Sequence, residues 1–190
     1  MCWSKVEIID IFQCPIFGET LVLDNNKILS YCISEPNNDD GRHVSNSGGW
    51  QSSSRKEKVE SLDELLTSVE KTSNQITSFL GIHSVRLENY WININGYKDF
   101  NWSHSHAGCV LSGVYYVKVP ENSGNILFEH PRGDFMTEWV ATNQNSRNST
   151  SWSLSPKEQT LLIFPSWLTH RVLQNDNKTE KRVSISFNLV

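Results

Sequence analysis

Three histidines of this chain have the spacing of metal ligands. His104 and His106 flank a single serine just before a strand-like run, and His170 lies 64 positions further on (106 to 170). Alternate side chains of an extended chain point the same way, so His104 and His106 are expected to face one side, within reach of His170 on a facing strand. Neutral imidazole suits iron, zinc, copper or nickel, so the spacing predicts a metal site without selecting the metal.

A second chemical group is expected near the C-terminus, where Arg182 and Ser184 share one side of a strand. Polar and apolar residues alternate over residues 182–190, which gives this strand a polar and an apolar face. In a jelly roll the polar face can line the mouth of the barrel. A guanidinium and a hydroxyl there are suited to hold one end of a dicarboxylate, whose other end then reaches the metal.

The elements that must position these groups are helices first and strands later. Residues 24–35 favour a short helix, and a capping box at Ser61 and Glu64 is expected to begin a helix of about five turns that ends near Gly81. Five β-prone runs follow, at 84–94, 109–119, 124–130, 159–167 and 182–190. This order predicts an α+β fold in which helices cover one face of a sheet.

Length and composition indicate one globular domain over residues 1–190, with 1–84 as helical support and loop and 85–190 as the strand-rich core. The net charge of −4 gives no field that would attract nucleic acid or an anionic membrane, so neither partner is expected. The four cysteines lack C-x-x-C spacing, the N-terminus lacks signal-peptide features, and no apolar run approaches the roughly 20 residues that span a bilayer. These features predict a cytoplasmic protein with reduced thiols.

Motifs over roughly half of the chain, from about Trp91 to Asn188, occur in a distinctive order. They are WININGYKDFNWSHSHAGCVLSGVYYV, SGNILFEHPR, FPSWLTHRV and KRVSISFN, and SNSGGWQS around Trp50 is a further element. In this order they resemble the phage and bacterial 2-oxoglutarate-Fe(II) oxygenases related to the prolyl hydroxylases. The resemblance implies a double-stranded β-helix (jelly-roll, cupin-like) core with N-terminal supporting helices, located in the host cytoplasm if a phage encodes the protein.

The same resemblance implies an Fe(II)- and 2-oxoglutarate-dependent dioxygenase that uses O2, hydroxylates a substrate and releases succinate and CO2. His104 and His106 fall where the superfamily has an H-x-D/E pair, and His170 matches its distal histidine. The usual triad has two histidines and one carboxylate. Three interpretations follow: a three-histidine site, which we favour, a site that Glu129 completes, or a degraded site that no longer binds iron productively.

Other residues receive roles from their position in these motifs. Arg182 and Ser184 match the R-x-S pair that binds the distal carboxylate of 2-oxoglutarate, and Tyr116 is placed like a tyrosine that hydrogen-bonds the same carboxylate. The loops 34–56 and 132–158 are expected to form the rim of the cleft. Residues that are candidates for contact with substrate, or for supporting the site, are Asn93, Asn95, Trp50, Trp167 and Arg132.

The substrate is not predicted beyond a small molecule or a protein side chain. The rival hypothesis is a catalytically inactive or non-oxygenase metal-binding module of cupin-like fold. Such a module would share the strands and the histidines but would have no use for Arg182 and Ser184 on the inner face.

Overall fold

The computed structural model describes residues 11–133 and 142–190. The N-terminal elements are β1 (Phe17–Thr20), α1 (Asn25–Ser34), a 3-10 turn (Glu35–Asn37), β2 (Asn46–Ser47), β3 (Trp50–Gln51) and α2 (Asp63–Leu80). The strands that follow are β4 (Leu87–Asn95), β5 (Phe100–His104), β6 (Leu111–Lys118), β7 (Ile126–Glu129), β8 (Ser151–Leu154), β9 (Thr160–Pro165), β10 (His170–Val172) and β11 (Arg182–Leu189).

The strands form two antiparallel sheets. The major sheet has the order β1-β9-β6-β11-β4-β3, and the minor sheet has the order β2-β5-β10-β7-β8. Apolar side chains of the two sheets meet in a small core that contains Val114 and Tyr116 from the major sheet and Ile126 and Phe128 from the minor sheet. This sheet-rich α+β architecture confirms the predicted jelly-roll core.

The larger core lies on the other side of the major sheet, beneath the helices. Leu65, Leu66 and Val69 of α2 are buried there together with Ile185 and Phe187 of β11. Truncation of one such side chain to alanine costs about 2–5 kcal/mol. The apolar half of the alternation predicted for residues 182–190 therefore faces the helices, and the polar half faces the minor sheet.

The predicted helices are present, but one predicted cap is wrong. Helix α2 ends at Gly81, whose φ of 68° is left-handed, as expected for a glycine that terminates a helix. Its N-terminus begins at Asp63, and Leu62 caps it without a side-chain hydrogen bond, so Ser61 and Glu64 form no capping box. Asp63 and Glu64 instead place negative charge in the first turn, where the helix dipole favours it.

The five predicted runs correspond to the strands β4, β6, β7, β9 and β11. The strands β1, β2, β3, β5, β8 and β10 were not among the predicted runs, although extended segments that carry His104 and His170 were expected. Three of these six lie before residue 84, so the segment predicted as helical support and loop also contributes strands to both sheets. The strands β2, β3 and β10 have only two or three residues, too few for a period of two to be recognised.

The loop 34–56 is held in place by an ion-pair cluster. Arg55 pairs with Glu35 and, at 3.2 Å, with Asp39, and all three side chains are largely buried. Trp50 donates from its indole nitrogen to the Asp39 carbonyl at 3.0 Å, which also holds this loop in place. Buried ion pairs and a hydrogen bond therefore fix the position of the loop 34–56.

Among residues 11–133 and 142–190, no helix is both long and apolar enough to cross a membrane. The cytoplasmic location stays a prediction.

Candidate metal centre and anion pocket

The three predicted histidine ligands converge between the two sheets. His104 ends β5, His170 begins β10, and the two residues are partners in the antiparallel pairing of these strands. His106 lies two residues beyond the end of β5. One nitrogen from each imidazole lies within 4.8 Å of the others. The Nε2 atoms of His106 and His170 are 3.4 Å apart, close to the separation of two nitrogens that share one ion at about 2.1 Å.

Backbone carbonyls fix the orientation of two of these rings. The Nδ1 atom of His104 lies 2.7 Å from the carbonyl of Trp102, and that of His170 lies 2.9 Å from the carbonyl of Leu168. A carbonyl only accepts, so each Nδ1 carries the proton and donates it. The Nε2 lone pairs of His104 and His170 are therefore free to bind a metal.

His106 is held by its backbone and by an aromatic neighbour. Its amide donates to the carbonyl of Ser166 at 2.9 Å, which ties it to the turn between β9 and β10. Its ring packs against the indole of Trp91, with centroids 5.7 Å apart, and stacks on His170 at 5.2 Å. The structure thus brings His106 to the other two histidines although it lies outside any strand.

Burial keeps all three imidazoles neutral. Loss of solvation lowers the pKa of His170 to about 3 and that of His106 to about 4, and it lowers the pKa of His104 as well. The neighbouring imidazoles add to the shift at His106 and His170. Neutral imidazole is the form that binds a metal ion, so near neutral pH no proton has to leave before binding.

Glu129, the alternative third ligand, points away from this cluster. Its neighbour Phe128 pairs with His170 across β7 and β10, so Phe128 faces the histidines and Glu129 faces the opposite side of the sheet. There Glu129 accepts a hydrogen bond from the Ser103 hydroxyl at 2.7 Å. The alternative in which Glu129 completes the metal shell is wrong for this structure.

Arg182 is buried, with 3% of its surface exposed, and its charge has no carboxylate partner among the described residues. One terminal nitrogen donates to the side-chain oxygen of Asn95 at 2.9 Å. The other contacts the carbonyls of Ser123 at 3.4 Å and Gly124 at 3.3 Å, and Nε has no partner among the described residues. Burial lowers the pKa of the guanidinium, which reflects the cost of a cation without a counter-ion. The pocket is therefore built for an anion.

The partners of Arg182 are themselves fixed. Asn175 donates to the backbone carbonyl of Asn95 at 2.9 Å and so holds the residue that orients the guanidinium. Gly124 has a φ of 86°, and a Cβ there would lie 2.1 Å from the carbonyl oxygen of Leu173. Only glycine fits this turn, whose carbonyl faces Arg182.

The histidines and Arg182 line one cavity of about 510 Å³, part of it open to solvent. Ser184 and Tyr116, which are partners in the pairing of β11 with β6, line it as well. Burial raises the pKa of Tyr116 to about 12, so the phenol keeps its proton and can donate to an anion. The structure brings the six residues predicted for metal and anion binding into one space.

The remaining candidates divide into two groups. Asn93 lines the cavity and donates to the Ser186 hydroxyl at 3.0 Å, and Asn95 supports Arg182. Trp50 is the partner of Ile94 in the pairing of β3 with β4, so it packs on the helix-facing core. Trp50 therefore does not line the cavity, and its contact with substrate stays a prediction.

Trp167 and Arg132 also lie apart from the cavity. Trp167 is 54% exposed in the turn after β9, and Arg132 is an exposed residue whose amide donates to the His130 ring at 3.0 Å. Neither side chain lines the cavity. The predicted rim 132–158 falls partly on residues 134–141, which are outside the described part of the chain.

Two parts of the site were missed. Trp91 packs on His106, and the parity of β4 could have indicated this, because Trp91 shares a face with Asn93. The carbonyls of Ser123 and Gly124 also contact Arg182. No sequence signal indicates which backbone groups a distant turn will present.

A family model described as "Putative 2OG-Fe(II) oxygenase" matches residues 89–188. This segment includes all three histidines, Tyr116, Arg182 and Ser184. A search of curated proteins finds no match.

Several solved structures share the fold. A prolyl-4-hydroxylase from Pseudomonas putida is 13% identical, with a TM-score of 0.65, over 93% of this chain and 92% of that protein. A viral collagen prolyl hydroxylase from Paramecium Bursaria Chlorella virus-1, in complex with 2OG, is 12% identical, with a TM-score of 0.62, over 92% and 94%. The alpha-ketoglutarate-dependent epimerase SnoN from nogalamycin biosynthesis is 14% identical, with a TM-score of 0.65, over 93% and 78%. Identities this low establish the fold alone.

Proposed function

The chain belongs to the family of 2OG-Fe(II) oxygenases, and from that premise we propose that it is an Fe(II)- and 2-oxoglutarate-dependent dioxygenase that hydroxylates its substrate. The observation that carries the proposal is the buried, uncompensated guanidinium of Arg182 in the same cavity as three convergent imidazoles. A metal-binding module without a dicarboxylate cosubstrate would have no reason to bear the cost of that cation.

The donor set suits the metal. Three neutral imidazoles, each with a ring nitrogen within 4.8 Å of the others, are good ligands for a divalent ion of the first transition series, iron included. His104, His106 and His170 would hold Fe(II) in this proposal. With a histidine in the place of the usual carboxylate, the ion would keep its full positive charge, which should favour an anionic cosubstrate.

The anion pocket suits the cosubstrate. Arg182 would bind the distal carboxylate of 2-oxoglutarate, with the hydroxyls of Ser184 and Tyr116 as further donors. The rest of the 2-oxoglutarate molecule would occupy the cavity between Arg182 and the histidines. Asn95 would keep the guanidinium in the plane that the carboxylate requires.

When bound, iron and 2-oxoglutarate supply the oxidation of a substrate C–H bond by O2, with release of succinate and CO2. The residues of the chain orient the cosubstrate and exclude water. Val114, Ile126 and Phe164 give the cavity its apolar walls, which limit the access of solvent to the reacting groups.

Hydroxylation is the proposed outcome, and the reaction product must be identified directly. The proteins that share this fold include prolyl hydroxylases, the epimerase SnoN and the carbocyclase SnoK. One fold therefore supports several outcomes, and the pocket for the substrate decides among them.

The test is an anaerobic titration of the protein with Fe(II) and 2-oxoglutarate, monitored for the visible absorption band of the metal-bound cosubstrate, followed by admission of air and measurement of succinate. We expect both signals. Arg182→Gln is the control, since it should retain iron but require far more 2-oxoglutarate for the band. If iron binds but neither band nor succinate is seen, the protein is a metal-binding module and the proposal is rejected.

A further inference from the structure

A second cleft adjoins the metal cavity, and His106 lines both of them. It encloses about 830 Å³, part of it open to solvent, and it shares Ser45, Trp91, His104 and His106 with the metal cavity. We call it the outer cleft. Along β11, Arg182 and Ser184 line the inner cavity, whereas Asn188 lines the outer cleft. Six residues of extended chain span about 20 Å, so the two ends of this strand line two different cavities.

Arg42 is the one lysine or arginine among the described residues that line the outer cleft. Its guanidinium carbon lies 5.9 Å from the centroid of the Trp91 indole, the same ring that packs on His106. The backbone of Arg42 is fixed because its amide donates to the Gln51 carbonyl at 2.8 Å. Arg42 is thus held at the cleft by its backbone and by an aromatic ring.

Two buried polar atoms of this cleft have no hydrogen-bond partner among the described residues. Arg42 forms no ion pair within residues 11–133 and 142–190, and its Nε is buried without a hydrogen bond there. The side-chain oxygen of Gln51, which lines the same cleft, is also buried and unpartnered in the described chain. Buried polar groups in native proteins form hydrogen bonds in the great majority of cases. The two unpaired atoms therefore indicate a polar ligand in this cleft. The partner must bring an acceptor to Arg42 and a donor to Gln51.

The positive charge of the two cavities also favours an anionic ligand. No aspartate or glutamate is among the described residues that line either the inner cavity or the outer cleft, although the chain has a net charge of −4. If three neutral imidazoles hold a divalent ion, that ion and Arg182 together carry one more positive charge than a 2-oxoglutarate dianion carries negative charge. Arg42 adds another. A family site with a carboxylate ligand would have less positive charge to balance.

From these observations we infer that the outer cleft binds the primary substrate through an anionic group, a carboxylate or a phosphate, which pairs with Arg42 while the neighbouring part of the substrate lies against Trp91. Gln51 accepts a hydrogen bond from a donor of the same molecule. The inference rests on the proposed function, because it assigns the substrate of that reaction. Arg42 is in this sense the residue that selects for a negatively charged substrate.

The test uses small aromatic probes that differ in charge. Phenylacetate, phenyl phosphate and the neutral phenylacetamide are titrated into the protein under anaerobic conditions with Fe(II) and saturating 2-oxoglutarate, and binding is followed by tryptophan fluorescence. The variants are Arg42→Gln, Arg42→Lys and, as matched control, Arg171→Gln, because Arg171 is an exposed arginine outside both cavities.

We expect at least one anion to bind the wild type about tenfold or more tightly than phenylacetamide. Arg42→Gln should remove this preference, Arg42→Lys should restore part of it, and Arg171→Gln should leave it unchanged. Preference for phenylacetate or for phenyl phosphate then identifies the anion. Equal affinity of wild type and Arg42→Gln, or no binding of either anion at millimolar concentration, would overturn the inference.

Succinate release in air separates this inference from the proposed function. The wild type and the control variant Arg171→Gln keep the histidines, Arg182 and Arg42, so both should release succinate from 2-oxoglutarate without added substrate. If neither protein releases succinate while the anions bind in an Arg42-dependent manner, the proposed reaction is wrong and the anion site remains.

Discussion

His104 and His170 are direct partners in the pairing of β5 with β10, and their ring centroids lie 4.5 Å apart. Two ligands of the candidate metal centre are therefore brought together by the backbone hydrogen bonds of a sheet. His106 is different, because it lies in the loop after β5 and depends on contacts with Ser166 and Trp91. The centre thus has a rigid pair and a third ligand whose position is set by packing.

His106→Ala should lower the affinity for Fe(II) by at least about tenfold, because it removes one of three ligands while the pair on β5 and β10 remains. The measurement is iron content after dialysis against a weak chelator. His83→Ala, which changes an exposed histidine far from the centre in sequence, is the control and should keep its iron. Unchanged iron in His106→Ala would show that His106 is not a ligand.

Arg182→Gln should weaken 2-oxoglutarate binding by about 30-fold or more, since loss of one partner of a buried charged pair costs at least about 2 kcal/mol. Iron content should not change, because Arg182 contacts no histidine. The quantity to measure is the 2-oxoglutarate concentration that gives half of the visible absorption band. Normal affinity of Arg182→Gln for 2-oxoglutarate would show that the distal carboxylate binds elsewhere.

Asn95 should act through Arg182. Asn95→Ala removes an acceptor from a charged donor, a contact worth about 1.5 kcal/mol, so 2-oxoglutarate should bind roughly tenfold more weakly. Asn95→Asp supplies a carboxylate at the same place, and we expect it to neutralise Arg182 and weaken binding further while the melting temperature stays the same or rises. If Asn95 served only to stabilise the fold, Asn95→Asp would instead bind 2-oxoglutarate more tightly than Asn95→Ala.

The stability of the loop 34–56 should depend on pH through Asp39. Burial opposes ionisation of this carboxyl, but hydrogen bonds from the amides of Gly41 and Ser53 and from Arg55 outweigh it, so the pKa of Asp39 lies below its ordinary value. A lowered folded pKa contributes stability above the unfolded value of about 3.9, and this contribution is lost as the pH falls through the folded pKa.

Asp39→Ala should therefore reduce the free energy of unfolding at pH 7 by about 1–3 kcal/mol, and the deficit relative to wild type should shrink at pH 3. Urea unfolding at both pH values measures it. Asp40→Ala, at the neighbouring exposed position, should show little change at either pH. A deficit that is the same at pH 7 and pH 3 would contradict the role given to the Asp39 carboxylate.

The sequence allowed Arg182 and Ser184 to be predicted from the fixed parity of one strand, whereas the roles of His106 and Tyr116 were predicted from the resemblance to the family motifs. His104 and His106 are separated by one residue, and Arg182 and Ser184 alternate with core residues of β11. The alternation that places Ile92 and Ile94 in the helix-facing core also places Asn93 toward the cavity.

The features that could not be predicted depend on tertiary contacts. Trp50 was expected near substrate, but its pairing with Ile94 turns it to the helix-facing core, and strand pairing between distant segments leaves no mark in local sequence. Glu129 has the right residue type for a ligand, and only the register of β7 on β10 shows that it faces the other way. Arg42 lies in a polar loop where one cation carries no signal of its own.

The two faces of β11 impose a limit on how this chain can change in length. Its core side chains and its cavity side chains alternate strictly, so insertion or deletion of a single residue within 182–189 would exchange the two sets. Apolar groups would then fill the anion pocket, and the guanidinium would be driven under the helices. This strand can tolerate single substitutions but not insertions or deletions. Length variation among descendants of this chain should therefore occur in its polar loops and not in β11.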